Sequence, residues 1–421
     1  MMNWKKCKLG DVATTTTTKI GCSDITSNYI STENMLPNKG GVVAASSFPS
    51  TGNVSTYQQG DILVSNIRPY FKKIWRATCN GTASNDVIIF CANEGVDNLY
   101  LYYLLADDRF FAYVMTGAKG TKMPRGDKKQ MLQYPVNLPP LEEQKRIADI
   151  LGAFDDKIEL LQKQNKTLED MAKALFKSWF VDFDVVRAKQ KGRPKADIMR
   201  EYHLTEELYD LFPSSFADSP LGPIPSGWET SNLDSLCIRC QSGGTPSTKH
   251  AEYWENAVID WFSTKELQDS FLLNSEKTIS EEGLNNSSAK LFPKGTIIMA
   301  IYASPTVGRL GILTQEATFN QAAVGFIPKE DKISREYLFL MLKHRRDDLN
   351  NLANGAAQQN LSVGVVKAFN ILIPNAALNT VYKRIVSPLF NKMEFNVKQI
   401  QTLTELRDTL LPRLISGKIR V

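Results

Sequence analysis

The chain has 421 residues, 43% of them apolar and 23% charged, with a formal net charge of +5. That composition allows two or three ordinary globular domains with a mild preference for polyanions. It excludes a membrane span, because no stretch approaches the roughly 18 uninterrupted apolar residues required, and its six scattered cysteines exclude a disulfide framework. The lysines of the opening MMNWKKCKLGDVA have no apolar run behind them, so no secretory leader and a cytoplasmic location are expected.

Residues 1–140 read as a first globular domain. Strand-like runs at Gly41–Ala45, Asp61–Val64 and Asp86–Cys91 are short, rich in Val and Ile, and bounded by Gly, Asn or Asp. Leu99–Val114 is apolar and aromatic at helical spacing, which predicts one helix. A basic loop, Gly117–Gly126, follows, then an edge strand over Tyr134–Leu138. Pro139-Pro140 is a helix-start signal, with Glu142 and Glu143 in the first turn, where the helix dipole favours them. Apolar residues then recur in steps of four and three: Ile147, Leu151, Phe154, Ile158, Leu161, Leu168, Ala172 and Leu175, with Asn165 in the one polar slot. This is coiled-coil spacing, in which one Asn can fix register. The helix should run about 40 residues, roughly 60 Å, and it needs another helix to cover its stripe. Residues 141–186 are assigned to it.

A connector, residues 187–227, opens on the basic run Arg187–Lys195, carries Pro213, Pro220, Pro223 and Pro225, and is expected to hold one short helix near Thr205–Leu211. A second domain, 228–376, then repeats the first. Trp228 echoes Trp4 and Leu233 echoes Leu9. Strands are predicted at Val258–Trp261, Thr296–Ala300 and Ala322–Ile327, and a helix over Tyr337–Leu349 mirrors Leu99–Val114. Tyr337 pairs with Tyr100, while Gly117 and Gly355, Arg146 and Arg384, and Leu168 and Leu406 are each 238 apart (355 minus 117, for example). The second long helix, within 377–421, has Ile385, Leu389, Met393, Ile400, Leu403, Leu406 and Leu410 as its apolar set, interrupted by Asn396 and Gln399. Pro388 should kink or break it. Either direction of pairing satisfies the pattern; duplication within one chain favours antiparallel. The fold class is therefore α/β (α+β): two similar sheet-containing globular domains separated by two long helices packed as an antiparallel coiled coil, with a pseudo-twofold.

Catalytic motifs are missing. Asn137-Leu138-Pro139-Pro140 lacks the aromatic of an amino-methyltransferase motif and is explained as a helix start. No GxxxxGK[ST] phosphate loop occurs. Glu143-Gln144-Lys145 has a nuclease-like spacing but opens a helix, and Asp155 and Asp156 read as surface charge. Cys237-Ile238-Arg239-Cys240 has no second pair for zinc, and His203, His250 and His344 are far apart. No catalytic residue, metal or cofactor is expected on this chain.

Binding residues are more visible. Lys119, Lys122, Arg125, Lys128 and Lys129 put five positive charges in eleven residues beside Gly117, Gly120 and Gly126, which suits phosphate contact or simply a solvated loop. The equivalent place in the second domain offers Gln358 and Gln359, which can bond adenine edges. A second pair of loops follows the strands at 61–64 and 296–300. The first carries Ser65, Asn66, Arg68, Tyr70, Lys72 and Lys73, and the second Tyr302, Ser304, Thr306 and Arg309. Arg68 and Arg309 are the leading candidates for a guanine or a phosphate. Gly243, Gly244, Thr245 and Lys249 could bring backbone N–H groups to a phosphate, or form a plain turn. Lys19, beside Thr14–Thr18, holds the comparable place in the first domain. Trp254 and Trp261 read as core anchors.

These motifs, in order, resemble the specificity subunit of type I restriction–modification enzymes. The marks are SGGTPSTKHAEYW with VIDWFSTKEL, NQAAVGF, LPPLEEQKRIADIL, the connector WFVDFDVVRAK…LFPSSFADSPLGPIPSGW and the ending LRDTLLPRLISGKI. The resemblance implies that each domain is a target recognition domain for one half of an interrupted duplex DNA sequence. The helices would act as spacer and as the docking surface for two modification (methyltransferase) subunits. S-adenosylmethionine, ATP and Mg²⁺ would belong to those and to restriction/translocase subunits. The first domain lacks a clean copy of the Gly-Gly-Thr-Pro loop. The rival readings are a coiled-coil scaffold that binds proteins rather than DNA, and a stand-alone DNA methyltransferase or nuclease.

Overall fold

The computed structural model describes residues 4–16, 18–25, 27–120, 122–302, 306–354 and 360–421. It divides into two compact units, residues 1–160 with 400–421 and residues 161–399. Each unit therefore owns one half of each long helix.

In the first unit a four-stranded sheet has the order Ala13–Thr15, Val87–Ala92, Ile62–Ser65, Ile74–Arg76. A second sheet joins Lys19–Gly21, Asn53–Tyr57, Gly81–Ala83 and Tyr29–Ile30. The second unit follows the same order, Cys237–Ser242, Ala323–Pro328, Ile297–Ala300, Leu310–Leu313, and adds Ser270–Leu272 as a parallel edge strand. Its smaller sheet is Lys277–Ile279, Ile259–Phe262, Thr318–Phe319. The central strands are apolar on both faces because both are covered, as Ile62, Leu63 and Val64 in one unit and Ile297, Ile298 and Met299 in the other show by their complete burial. The predicted strand Gly41–Ala45 is not one; only Val42 bridges, to Met35. Its run of Val and Ala follows two glycines, and Gly41 has φ +82°, which turns the chain rather than extending it.

Two predicted helices are each broken in two. The first becomes Asn98–Ala106 and Asp108–Thr116. Asp107 leaves the helical region, and its buried carboxylate accepts from the Arg109 N–H at 2.8 Å and from the Arg109 guanidinium at 2.6 Å. An N-cap inside an apolar run thus overrides the periodicity. The second becomes Arg335–His344 and Arg346–Asn354. The connector is better structured than its composition suggests. Asp184–Gln190 and Lys195–Glu201 are helices, with Val185, Val186, Ala188 and Ile198 buried, ahead of the expected short helix at Glu206–Asp210.

The long helices are Leu141–Phe180 and Ala376–Ile415, 40 residues each and 235 apart (376 minus 141). The expected break at Pro388 does not occur; the helix continues through it. Pro388 is exposed, while Val386 and Phe390 on either side are buried. Burial of those side chains offsets the roughly 3 kcal/mol that an interior proline costs. The offset of 235 also corrects the pairing of the copies within these helices. Leu168 corresponds to Leu403, not to Leu406, which is 47% exposed, and Ile147 corresponds to buried Tyr382, not to Ile385, which is 40% exposed.

In the first unit, Ile147 and Leu151 share a core with Leu411, Leu414 and Ile415, with Leu410 packed against it. Ile158 is also buried, and Phe154 partly so. Arg407 donates to Asp155 at 2.5 Å, and Asp155 also accepts the Tyr103 hydroxyl at 2.6 Å. In the second unit, Phe176 and Phe180 meet Tyr382, the latter at 4.9 Å between ring centroids. Leu161 is buried, and Leu168, Leu175 and Leu389 pack against the core. Ile400 and Leu403, which belong to the first unit, are half-buried. Fully buried Asn396 donates to Gln164 and to Asn165, both at 2.8 Å. Within the second unit residue 165 faces 396 and residue 180 faces 382, so the helices run antiparallel. Asn165 and Asn396, one polar position from each seam, face each other, as a register-setting pair should. Asn396→Ala is expected to lower the stability of the second unit by about 1–2 kcal/mol, since it leaves Gln164 and Asn165 without their donor. Urea unfolding followed by circular dichroism measures this; an unchanged midpoint would refute it.

Candidate nucleic-acid interface

In the first unit the structure brings the two basic loops together. The strand Ile62–Ser65 ends at Ser65, whose buried hydroxyl donates to Ile67 O at 3.1 Å. Beyond it the Arg68 N–H donates to Pro124 O at 2.8 Å, and the Gly126 N–H to Asn66 O at 3.1 Å. Ile67 also bridges to Arg125, which exchanges backbone bonds of 2.9 Å with Lys119. Sequence separation hides this union. Arg68, Lys119, Lys122 and Arg125 are exposed on the joined surface.

Its charge is partly answered from within. Arg125 approaches Asp86 at 3.4 Å, Lys119 approaches Asp127 at 3.9 Å, and Lys72 pairs with Asp108 at 2.8 Å. Such exposed pairs are weak and can be exchanged for phosphate. Lys122 has no ion-pair partner among the described residues. Lys73 donates to Thr32 O at 2.6 Å, and burial lowers its pKa, followed in size by the nearby Arg68 charge. Lys128 and Lys129 leave the loop for a short helix, Lys128–Met131, capped by Asp127. Lys19 is exposed on a strand of the other sheet, opposite Ser55.

In the second unit Ser304, Gln358 and Gln359 lie outside the described residues. The loop that carries Tyr302, Thr306 and Arg309 is joined to the later segment in the same way as in the first unit: the Leu361 N–H donates to Ile301 O at 2.9 Å. Tyr302 is exposed, and its carbonyl accepts the Thr306 hydroxyl at 3.0 Å. Arg309 is half-buried. The turn is braced by Arg346, which donates to Gly308 O at 2.8 Å and pairs with Asp269. Gly308 has φ +78°, and a Cβ there would meet Arg346 Cγ at 2.7 Å. Sequence reading missed Asp269 and Arg346, because their roles depend on contacts between distant segments.

The glycine pair needs a correction. Gly244 N–H donates to Phe319 O at 2.9 Å and Gly243 N–H to Ala323 O at 3.1 Å, so neither is available to a phosphate. A Cβ on Gly244 would lie 1.9 Å from Ser288 O. The glycines serve close packing, and Gly244 O also accepts the indole of buried Trp261 at 2.9 Å. Thr245 bonds Gln321, while Lys249 stays exposed. Cys237 and Cys240 are buried, and burial pushes both thiols up to about 12, which leaves them inert at neutral pH.

This arrangement, two sheet-bearing units each joining two polar loops beside a half-share of paired helices, matches a known family. Residues 1–170 and 225–405 fit the family described as type I restriction modification DNA specificity domain. The chain belongs to that family. Among similar proteins, the HindI specificity subunit of Haemophilus influenzae is 28% identical over 467 residues, covering 100% of both chains. The MjaIX specificity subunit of Methanocaldococcus jannaschii is 28% identical over 333 residues, covering 78% of this chain and 70% of its own length. The crystal structure of a type I restriction–modification S subunit from M. genitalium aligns with TM-score 0.57 at 16% identity, covering 98% of this chain and 96% of that one, which shows the shared fold. No helix among the described residues of this specificity-family chain is long and apolar enough to cross a membrane.

Burial opposes ionisation of Asp269, but hydrogen bonds from Arg346 and the Leu310 N–H and the charge of Lys343 outweigh it and hold the carboxyl below the usual range. A depressed folded value stabilises above the unfolded value of about 3.9 and loses that contribution as pH falls through the folded one. The brace should thus be insensitive to pH from 7 down to about 5 and fail only below about 4. Asp269→Asn is expected to weaken it at neutral pH by about 1.5–3 kcal/mol. Hydrogen exchange at Gly308–Leu310 reports the opening; equal exchange in both proteins would overturn the assignment.

Proposed function

We propose that the first unit binds one half of a bipartite duplex target through the joined loops 66–73 and 118–126. The second unit binds the other half through the loop at 302–309 and the segment leading to Leu361. Family membership gives the chain a DNA-recognition role within a type I restriction–modification complex, without a reaction of its own, and implies association with DNA and with methyltransferase and restriction subunits. The observation that carries the finer reading is the backbone bonding of Gly126 to Asn66 and of Leu361 to Ile301. In the first unit it turns two sequence-distant polar loops into one surface beyond the strand Ile62–Ser65, and in the second it ties the end of the equivalent strand to the segment at Leu361.

The unlike chemistry of the two surfaces suits two unlike half-sites. Arg68, Lys119, Lys122 and Arg125 supply phosphate contacts or guanine readout. Tyr302, Ser304, Thr306, Gln358 and Gln359 supply neutral donors and acceptors, with Arg309 as the basic member. Lys19, Lys72, Lys73, Thr245 and Lys249 remain candidates for phosphate, while Ser65, Asn66 and Gly244 position backbone. The recognition domains correspond to residues 1–140 and 228–376, and the segments 141–186 and 377–421, which carry the helices Leu141–Phe180 and Ala376–Ile415, set the unread spacer and dock two modification subunits.

Lys122→Ala is expected to weaken duplex binding for all sequences and to reduce the slope of log affinity against log salt by about 1. Arg68→Ala, if it reads a base, should relax the preference at one position and cost about 1–3 kcal/mol. Fluorescence-anisotropy titrations at several salt concentrations read both. Binding without salt dependence would favour the protein-scaffold reading. Inserting seven residues into both long helices keeps each seam in phase and should lengthen the unread spacer in a binding-site selection. Recovery of the original spacing would remove the spacer role.

A further inference from the structure

Among the described residues, non-glycine residues with positive φ are concentrated in one place. Asn38, Lys39, Arg68 and Lys72, at φ 54°, 62°, 50° and 50°, are four of the eight. They belong to two turns tied to each other: the Asn38 N–H donates to Phe71 O at 2.8 Å and the Lys39 N–H to Lys72 O at 3.0 Å. Side chains with a Cβ rarely adopt this conformation, and clusters of it persist only where the surroundings over-determine them. Here Asp108 does so, pairing with Lys39 at 3.1 Å and with Lys72 at 2.8 Å. The bond from Arg68 to Pro124 O fixes the other end of the turn.

The strained turn holds out two aromatic side chains. Tyr70 and Phe71 are 45% and 37% exposed, with ring centroids 4.6 Å apart. Nothing about stability requires this, since the buried residue of the turn is Pro69. The rings stand among cations: Lys73 Nζ lies 5.8 Å from the Phe71 ring, and Arg68 and Lys72 flank the pair in the chain. A partner that is polyanionic at its rim and offers flat apolar faces within is a duplex base step.

We propose that Tyr70 and Phe71 form a wedge that enters between adjacent base pairs of the half-site held by the first unit, with Arg68 and Lys72 on the flanking phosphates. This rests on the DNA reading above and adds a mode of recognition to it: the deformability of one step is read as well as the edges of the bases. The wedge belongs to one half-site. Moving on by the 235 residues that separate Ile62–Ser65 from Ile297–Ala300 (297 minus 62), Tyr70 and Phe71 correspond to Pro305 and Thr306.

The test uses the full chain and the duplex recovered with it by binding-site selection, with 2-aminopurine placed at successive positions. The native chain should raise the fluorescence severalfold at one step of one half-site. Tyr70→Ala with Phe71→Ala should abolish that rise and weaken binding about 10- to 100-fold, with the salt slope unchanged. Tyr70→Trp with Phe71→Trp should keep both the rise and the affinity, which separates loss of the wedge from loss of folding. Quiet probes throughout a duplex that the native chain binds selectively, or an alanine variant that binds like the native chain, overturn the wedge and leave DNA recognition standing. Selection that returns no preferred duplex overturns both.

Discussion

A helix of 40 residues with an apolar stripe along its length cannot cover that stripe from within its own turns, and the fold is organised around supplying the cover. Each unit solves the problem locally. It takes half of one long helix and half of the other, lays them antiparallel, and roofs them with the helices that follow its sheet. The seam is not uniformly apolar. Asn396 against Gln164 and Asn165 in the second unit, and Arg407 against Asp155 in the first, break it with polar groups that must find each other. Sliding either pair by a turn would leave buried donors without acceptors, a penalty an all-leucine seam would not impose.

The two units fill the same scaffold with different side chains. Where the second uses Phe176, Phe180 and Tyr382, the first uses Leu411, Ile415 and Ile147 at the corresponding places. The aromatic cluster is joined by Trp228, 5.8 Å from Phe180, and by Phe183, 5.9 Å from Trp228. Edge-on aromatic pairs add about 0.5–1.5 kcal/mol each beyond their area. The second unit also roofs its core with the connector helices, whose Val185 and Ile198 are fully buried. A scaffold that tolerates such changes can carry different loops without altering its frame, which is what recognition of unlike half-sites demands.

Loops at the ends of the central strands bear the polar and basic residues, and their rigidity comes from elsewhere. In the first unit it comes from backbone exchange between Lys119 and Arg125 and from positive-φ residues locked by Asp108. In the second it comes from Asp269 and Arg346. In the second unit Arg346 and Asp269 hold backbone at Gly308 and Leu310 rather than the side chains that would meet a ligand, whereas in the first Lys72, Lys119 and Arg125 belong both to the brace and to the presented surface. Bracing through backbone lets the presented side chains vary while the geometry that presents them is kept.

The sequence by itself determined the duplication, the two long helices, the start of the first at Pro139-Pro140, the central strands and the polar character of the loops after them. These are properties of local pattern, period and composition, and each survives without knowledge of distant residues. It misjudged Leu99–Val114, because an Asp107 cap is stronger than the periodicity around it. It misjudged Pro388, because burial of its neighbours outweighs the lost hydrogen bond, and the offset within the long helices, because identities at 238 compete there with the burial register at 235. Only the tertiary structure decided that Asn165 meets Asn396, that the glycine pair serves packing, and that loops 58 residues apart (125 minus 67) form one surface at Ile67 and Arg125. Those facts rest on pairings between residues far apart in the chain, and such pairings are fixed by packing and hydrogen-bond satisfaction in three dimensions, on which a linear pattern carries no information.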